Sequence, residues 1–307
     1  MAKRGCDDEP TSVPCAASGG HLPDWGGVGA RAPALGASGQ GSMIVFERVG
    51  PDGAVDLWSM NGTGEDQTIF LSDAADVDFS PSGKHIAFDR AAVGEAPDIY
   101  ISRGDGTGLR RLTEAPGLDV RPDWSPDGRS ITFTSDRDGK PDIYVISPDG
   151  GPVQRLTDDA LGAQGSVYSP NGRQIAFTTF GSGLPRIAVM DADGGDPVVL
   201  TDGPDLEPSW SPDGRQIAFI SVRDGTREVY VMAADGSGQT RLTTDLNRDI
   251  GPPMFDPSGR ELAFMSQRAG NFDVYALSLR TREERRLTTD SAVDGFPEWR
   301  QGSAASH

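Results

Sequence analysis

DFSPSGKHIAF at 78–88, DWSPDGRSITF at 123–133, VYSPNGRQIAF at 167–177, SWSPDGRQIAF at 209–219 and MFDPSGRELAF at 254–264 are five versions of one phrase. Their prolines, Pro81, Pro126, Pro170, Pro212 and Pro257, are 45, 44, 42 and 45 residues apart. A period in the low-to-mid forties is the length of one four-stranded propeller blade. In each phrase an aromatic (Phe79, Trp124, Tyr168, Trp210, Phe255) ends a short strand, and a Ser-Pro-Asp-Gly type turn follows. Proline presets φ, Asp or Asn caps the local backbone, and glycine takes the positive φ. Pro81, Gly83, Pro126, Asp127, Gly128, Pro170, Gly172, Pro212, Asp213, Gly214, Pro257 and Gly259 are therefore structural turn residues.

Outward from the turn, the IAF-like run places apolar residues two apart, such as Ile217 and Phe219, which is strand periodicity. A polar loop, a third strand of the DIYVI kind, an Asp-Gly or Gly-Gly turn and a short segment ending in Leu-Thr complete each unit. Residues 43–72 form a unit without its first strand, and GFPEWR at 295–300 is a first strand with nothing after it, Trp299 falling 44 residues beyond Phe255. These two fragments make one blade. The expectation is an all-β, six-bladed β-propeller with four antiparallel strands per blade, closed by the C-terminal strand joining the N-terminal blade. First strands are expected at 77–80, 122–125, 166–169, 208–211, 253–256 and 296–299. Deleting 294–300 should open the ring and expose its sheet edges.

Composition agrees with a turn-rich fold: 307 residues include 40 glycines and 23 prolines. The formal charge of −18 argues against nucleic acid and anionic lipid as partners. No stretch approaches the apolar length of a membrane span. Residues 1–40 read as a flexible Gly/Ala/Pro-rich leader, 41–300 as the propeller and 301–307 as a disordered tail. The leader has no signal-peptide core and contains both cysteines, Cys6 and Cys15, as a local disulfide or two free thiols.

The repeats resemble the TolB-like β-propeller family, whose units read W-S-P-D-G-x-x-I-A-F, then D-I-Y-V, then R-L-T. The resemblance spans 43–300, with Arg111, Arg155, Arg241 and Arg286 matching the arginine before Leu-Thr. It implies a protein- or peptide-binding module of the periplasm or cell envelope. Related propellers gate prolyl oligopeptidase-type peptidases, but no Gly-x-Ser-x-Gly elbow occurs in this sequence.

Strand direction places the fourth-to-first and second-to-third loops on one rim and the stereotyped turns on the other. The loop rim collects Asp119, Asp136, Arg137, Asp138, Asp205, Arg223, Asp249, Arg268 and Asp294 as candidate binding residues. Asp119, Asp205, Asp249 and Asp294 each stand five or six residues before a blade aromatic. As oxygen donors around a channel they suit a hard cation such as Ca²⁺; alternatively each caps backbone N–H groups or pairs with a nearby arginine. No other cofactor is expected. No catalytic residues are assigned, because His21 and His307 lie in the terminal segments and His85 follows a turn on the opposite rim. The reading is a non-catalytic module recognising protein or peptide through its loop-rich face. The alternatives are a carbohydrate- or calcium-binding propeller, and a small-ligand hydrolase or lyase that would need a polar pocket departing from the repeat.

Overall fold

The computed structural model describes residues 42–92, 94–244 and 249–300. The expected leader and tail, with both cysteines, lie outside the described residues, as do the side chains of Asp249 and Ile250. Among the described residues, 24 strands form six four-stranded antiparallel sheets. Blade 1 combines Met43–Val49, Val55–Asn61 and Thr68–Leu71 with Val293–Trp299. The first strands of blades 2 to 6 are Ala75–Phe79, Asp119–Trp124, Ala163–Tyr168, Asp205–Trp210 and Asp249–Phe255. Six blades and their order follow the repeat. The first strands begin two to four residues earlier than their apolar pattern indicates, because each starts on a polar or small residue at the loop rim. No helix is long and apolar enough to cross a membrane among the described residues.

The hydrophobic core is six separate clusters, one at each blade-to-blade interface. The IAF run explains why. Its Phe (Phe46, Phe88, Phe133, Phe177, Phe219, Phe264) is fully buried against one neighbour, and full burial of a Phe contributes about 1.5–3 kcal/mol. Its small middle residue faces the other neighbour and leaves room for that blade's aromatic. Ala87 thus shares a cluster with Trp124, Ala176 with Trp210, Ala218 with Phe255 and Ala263 with Trp299. Volume-matched large and small residues let neighbouring sheets pack closely.

On the turn rim, Ser125 Oγ accepts the Ser130 N–H (2.9 Å), Asp127 accepts the Arg129 N–H (3.0 Å), and Gly128 adopts φ 71°. Ser211 and Asp213 repeat the arrangement. Each glycine also lies against the preceding blade's proline: Gly128 on Pro81, Gly172 on Pro126, Gly214 on Pro170 and Gly259 on Pro212. Blade 1 has no such proline, and Arg300 covers Gly83 instead. Closure is completed by antiparallel pairing of Ile44 with Trp299 and Arg48 with Asp294, and by the Arg300 N–H to Met43 carbonyl bond of 2.9 Å.

Candidate functional site

The acids expected at the loop rim open the first strands, and each described one is fully buried with its own arginine. Arg137 donates to both carboxylate oxygens of Asp119 (2.9 and 2.8 Å), Arg223 to Asp205 (2.7 Å) and Arg48 to Asp294 (2.6 Å twice). Each arginine lies over two aromatic rings: Arg48 on Phe46 and Trp58, Arg137 on Phe133 and Tyr144, Arg223 on Phe219 and Tyr230. Arg268 covers Phe264 and Tyr275 in the same way, while its counterpart Asp249 has its side chain outside the described residues. Asp136 accepts the Leu118 N–H (2.7 Å), and Asp138 accepts the Tyr144 hydroxyl (2.6 Å). Of the two alternatives for these acids, pairing with the local arginine is the arrangement seen at Asp119, Asp205 and Asp294. Among the described residues no three His, Cys, Asp or Glu side chains converge as metal ligands.

Sequence reasoning missed the residues that line the channel. Every first strand carries a register shift midway, and the residue there has positive φ: Asp76 (45°), Arg121 (57°), Gly165 (64°), Glu207 (58°), Gly251 (80°) and Phe296 (46°). Such bulges re-aim a side chain, and non-glycine residues in this conformation cost about 1–3 kcal/mol each. A signal was present: a proline two or three residues before the blade aromatic follows this position in RPDW, EPSW, GPPMF and FPEW.

At this level Arg121 spans from blade 3 to Glu207 in blade 5 (2.7 and 2.6 Å), passing blade 4 where Gly165 presents no side chain. Asp76 is 4.0 Å from Arg121, and the Phe296 ring lies 5.9 Å from its guanidinium. Burial opposes the charge of Arg121, but the surrounding carboxylates of Glu207, Asp76 and Glu47 outweigh it and hold the side chain cationic. Behind the ring, side chains from one blade receive the bulge N–H of the next. Glu47 accepts from Asp76 (2.8 Å), Asp89 from Arg121 (3.3 Å), Thr134 from Gly165 (3.1 Å) and Thr178 from Glu207 (3.2 Å). Burial and the neighbouring Asp76 push Glu47 up to about 8, and burial with Asp76 and Glu47 pushes Asp89 well above the usual carboxylate range.

Two residues further along, toward the turn rim, Asp78, Asp123 and Glu298 line the same channel. Asp78 accepts the Trp124 N–H (2.6 Å) and Asp123 the Tyr168 N–H (2.8 Å), again stitching adjacent blades. Burial raises Asp78 to about 7; burial and mutual repulsion raise Asp123 and Glu298 well above their ordinary values. The cavity between these side chains is about 110 Å³, enough for one side chain. This is a polar pocket that departs from the repeat, with raised carboxyls.

Two overlapping stretches, 72–204 and 160–252, match the TolB beta propeller domain (PD40) and together cover more than half of the chain. A 42-residue stretch is 60% identical to the Tol-Pal system protein TolB of Bordetella pertussis, covering 13% of this chain and 10% of that protein. A 61-residue stretch is 39% identical to the uncharacterized peptidase YuxL of Bacillus subtilis, covering 20% and 9%. The matches thus span about a tenth of the length of these curated relatives. The crystal structure of TolB from Acinetobacter baumannii superposes with a TM-score of 0.76 at 24% identity, over 84% of this chain and 66% of that one. A putative TolB from Agrobacterium tumefaciens gives 0.67 at 22%, over 84% and 90%. At these identities the likeness speaks for the fold, and the family rests on the domain match: this chain belongs to the TolB β-propeller family.

Proposed function

We propose that this propeller is a non-catalytic protein-binding module of the cell envelope that receives a partner polypeptide on its loop rim, with a Lys or Arg side chain of the partner entering the channel mouth. One observation carries the reading: Asp76, Arg121 and Glu207 line the channel with Glu47 and Asp89 behind them, so four carboxyl groups cluster about one guanidinium. A cationic side chain placed among them would favour their ionised form, releasing the protons that burial otherwise holds on Glu47 and Asp89. The loops at 89–98, 135–142, 179–186, 221–228 and 266–273 differ from blade to blade while the turns on the other rim repeat, which leaves the loop rim free to be partner-specific. The resemblance to the Tol-Pal system protein TolB supports the cell-envelope assignment. A substrate-binding enzyme fits less well, because pockets for small molecules are typically about 300–1,000 Å³ and this cavity is about 110 Å³.

The test is capture of proteins from a cell-envelope lysate on the immobilised full chain, with association of the captured partner then measured across salt concentrations. Asp76→Asn with Glu207→Gln should weaken association about tenfold and flatten its salt dependence, with melting checked in parallel. If that variant binds as the parent does while Asp127→Asn or Asp213→Asn weakens binding, the opposite rim carries the function.

A further inference from the structure

Blade 4 departs from its neighbours at each position that holds their outer halves together. Opposite the second-strand Phe, the third strand carries Trp58, Tyr100, Tyr144, Tyr230 or Tyr275 in five blades and Ala188 in blade 4. Where blades 3, 5 and 6 place Arg137, Arg223 and Arg268 over those rings, blade 4 has Gly181. The third strands of blades 2, 3, 5 and 6 hold Asp98, Asp142, Glu228 and Asp273 two residues before the tyrosine, and blade 4 holds Arg186. The fourth-strand arginine, Arg111, Arg155, Arg241 or Arg286, becomes Val199.

In the regular blades that acid is an acceptor hub. Asp142 takes hydrogen bonds from Arg155 (2.6 Å) and Thr157 (2.9 Å), and Glu228 from Arg241 (2.6 Å) and Thr243 (2.6 Å). In blade 4 the hub position is itself a donor. Among the described residues the Arg186 side chain has no ion-pair or hydrogen-bond partner, and its Nε is buried without one. Thr201, only 2% exposed, accepts the Ile187 N–H (3.0 Å), but its own hydroxyl proton has no acceptor among the described residues. A buried donor without an acceptor is costly, so the blade is short of a carboxylate.

The surroundings are apolar. Of six large hydrophobic residues exposed among the described residues, four are Leu161, Leu184, Val198 and Val199, on this blade or the loop entering it. The register of Ala188 with Val199 puts Val199 on the same sheet face as Arg186. The outer strand Val198–Val199 carries no charge, whereas those of blades 2, 3, 5 and 6 each carry arginine. An uncharged edge invites pairing by another strand.

We propose that blade 4 docks an extended segment of a partner protein in which an Asp or Glu, flanked by apolar residues, gives its carboxylate to Arg186 and lays its neighbours on Leu184 and Val199. The donor is a side chain rather than a nest of backbone N–H groups, which selects an internal acid over a chain-terminal carboxylate. The proposal rests on the protein-binding reading but uses a surface apart from the channel mouth.

The test uses the isotope-labelled full chain and two blocked peptides, acetyl-Leu-Val-Glu-Leu-Val-amide and its Gln counterpart, followed by NMR. The Glu peptide should saturably shift the methyls of Leu161, Leu184, Val198 and Val199 and the Nε–H of Arg186, and the Gln peptide should bind about tenfold more weakly. Arg186→Met should abolish binding. Arg186→Asp with Val199→Arg recreates the internal pair of the other blades, so it should abolish binding and raise the melting temperature. No shifts in blade 4 at millimolar peptide, equal affinity for the two peptides, or binding retained by both variants overturns the proposal. The peptide carries no cation, so its binding does not depend on the channel mouth, and failure of the lysate experiment with success here separates the two assignments.

Discussion

Asp119 and Asp123 open and nearly close the same strand of blade 3, and they live in opposite chemistry. Asp119 is fully buried yet holds a two-pronged bond from Arg137, which itself lies over two rings. Asp123 faces the channel with one backbone N–H from Tyr168 and a second carboxyl, Asp78, nearby, and its affinity for a proton is raised well above the ordinary value. The two differ in the partner within reach, a guanidinium for Asp119 and a backbone N–H beside another carboxyl for Asp123. The loop-side acids lock the first two strands of blades 1, 3 and 5 together, whereas the channel acids Asp78 and Asp123 hold neighbouring blades through N–H bonds and retain unused acceptor capacity.

The largest expected effect comes from breaking a lock. Asp119→Ala leaves Arg137, with 17% of its side chain exposed, without a counter-charge. Removing one partner of a buried pair costs about 3–5 kcal/mol, and the denaturant midpoint should fall accordingly. Asp123→Asn keeps an acceptor for the Tyr168 N–H and should leave the midpoint near the parent's. Equal losses would erase the distinction between the two acids.

A smaller effect is expected from pH. Glu47 and Asp78 bind protons more tightly folded than unfolded, titrating near 8 and 7 instead of in the ordinary carboxylate range. For an acid with a raised folded pKa, the stabilisation is full below the unfolded value and is lost as pH rises through the folded one. The melting temperature should therefore climb as pH is lowered from about 9 to about 6, and Asp78→Asn should make that slope shallower. A slope of opposite sign, or one unchanged by Asp78→Asn, would show that these carboxyls are ionised in the fold.

The smallest effect belongs to the turn rim. Asp213→Ala removes the acceptor for the Arg215 N–H in an exposed turn, and one such bond is worth about 1 kcal/mol. A loss as large as that of Asp119→Ala would mean that the turns, not the locks, bear the blade.

The blade count, the strand order and the closing strand could be read from the sequence because they depend on features that recur: Pro, Gly, an aromatic and alternating apolar residues at a fixed period. The channel could not be read the same way. Its lining residues, Asp76, Arg121, Gly165, Glu207, Gly251 and Phe296, occupy equivalent positions but share no chemistry, so a search for repetition passes over them. The acids of the loop rim and the nearby Arg137 and Arg223 were visible as candidates, but Arg48 became assignable only once strand register brought it beside Asp294. Blade 4 shows the same limit, since Arg186 looks like any surface arginine until the register reveals that it stands where other blades place an acid.

The seam between Arg48 and Asp294 also sets a clock. The two residues are 246 positions apart, and a ribosome adding about 5–20 residues per second needs roughly 12–50 s to travel that distance. Throughout that interval the inner edge of Met43–Val49 has no strand to pair with, although its apolar residues Ile44 and Val45 have already been made. Blades 2 to 6 hold all their strands in sequence order and have no such wait. The first blade to leave the ribosome is thus the last to be finished, and a holding chaperone acting during synthesis would find its natural target in that edge.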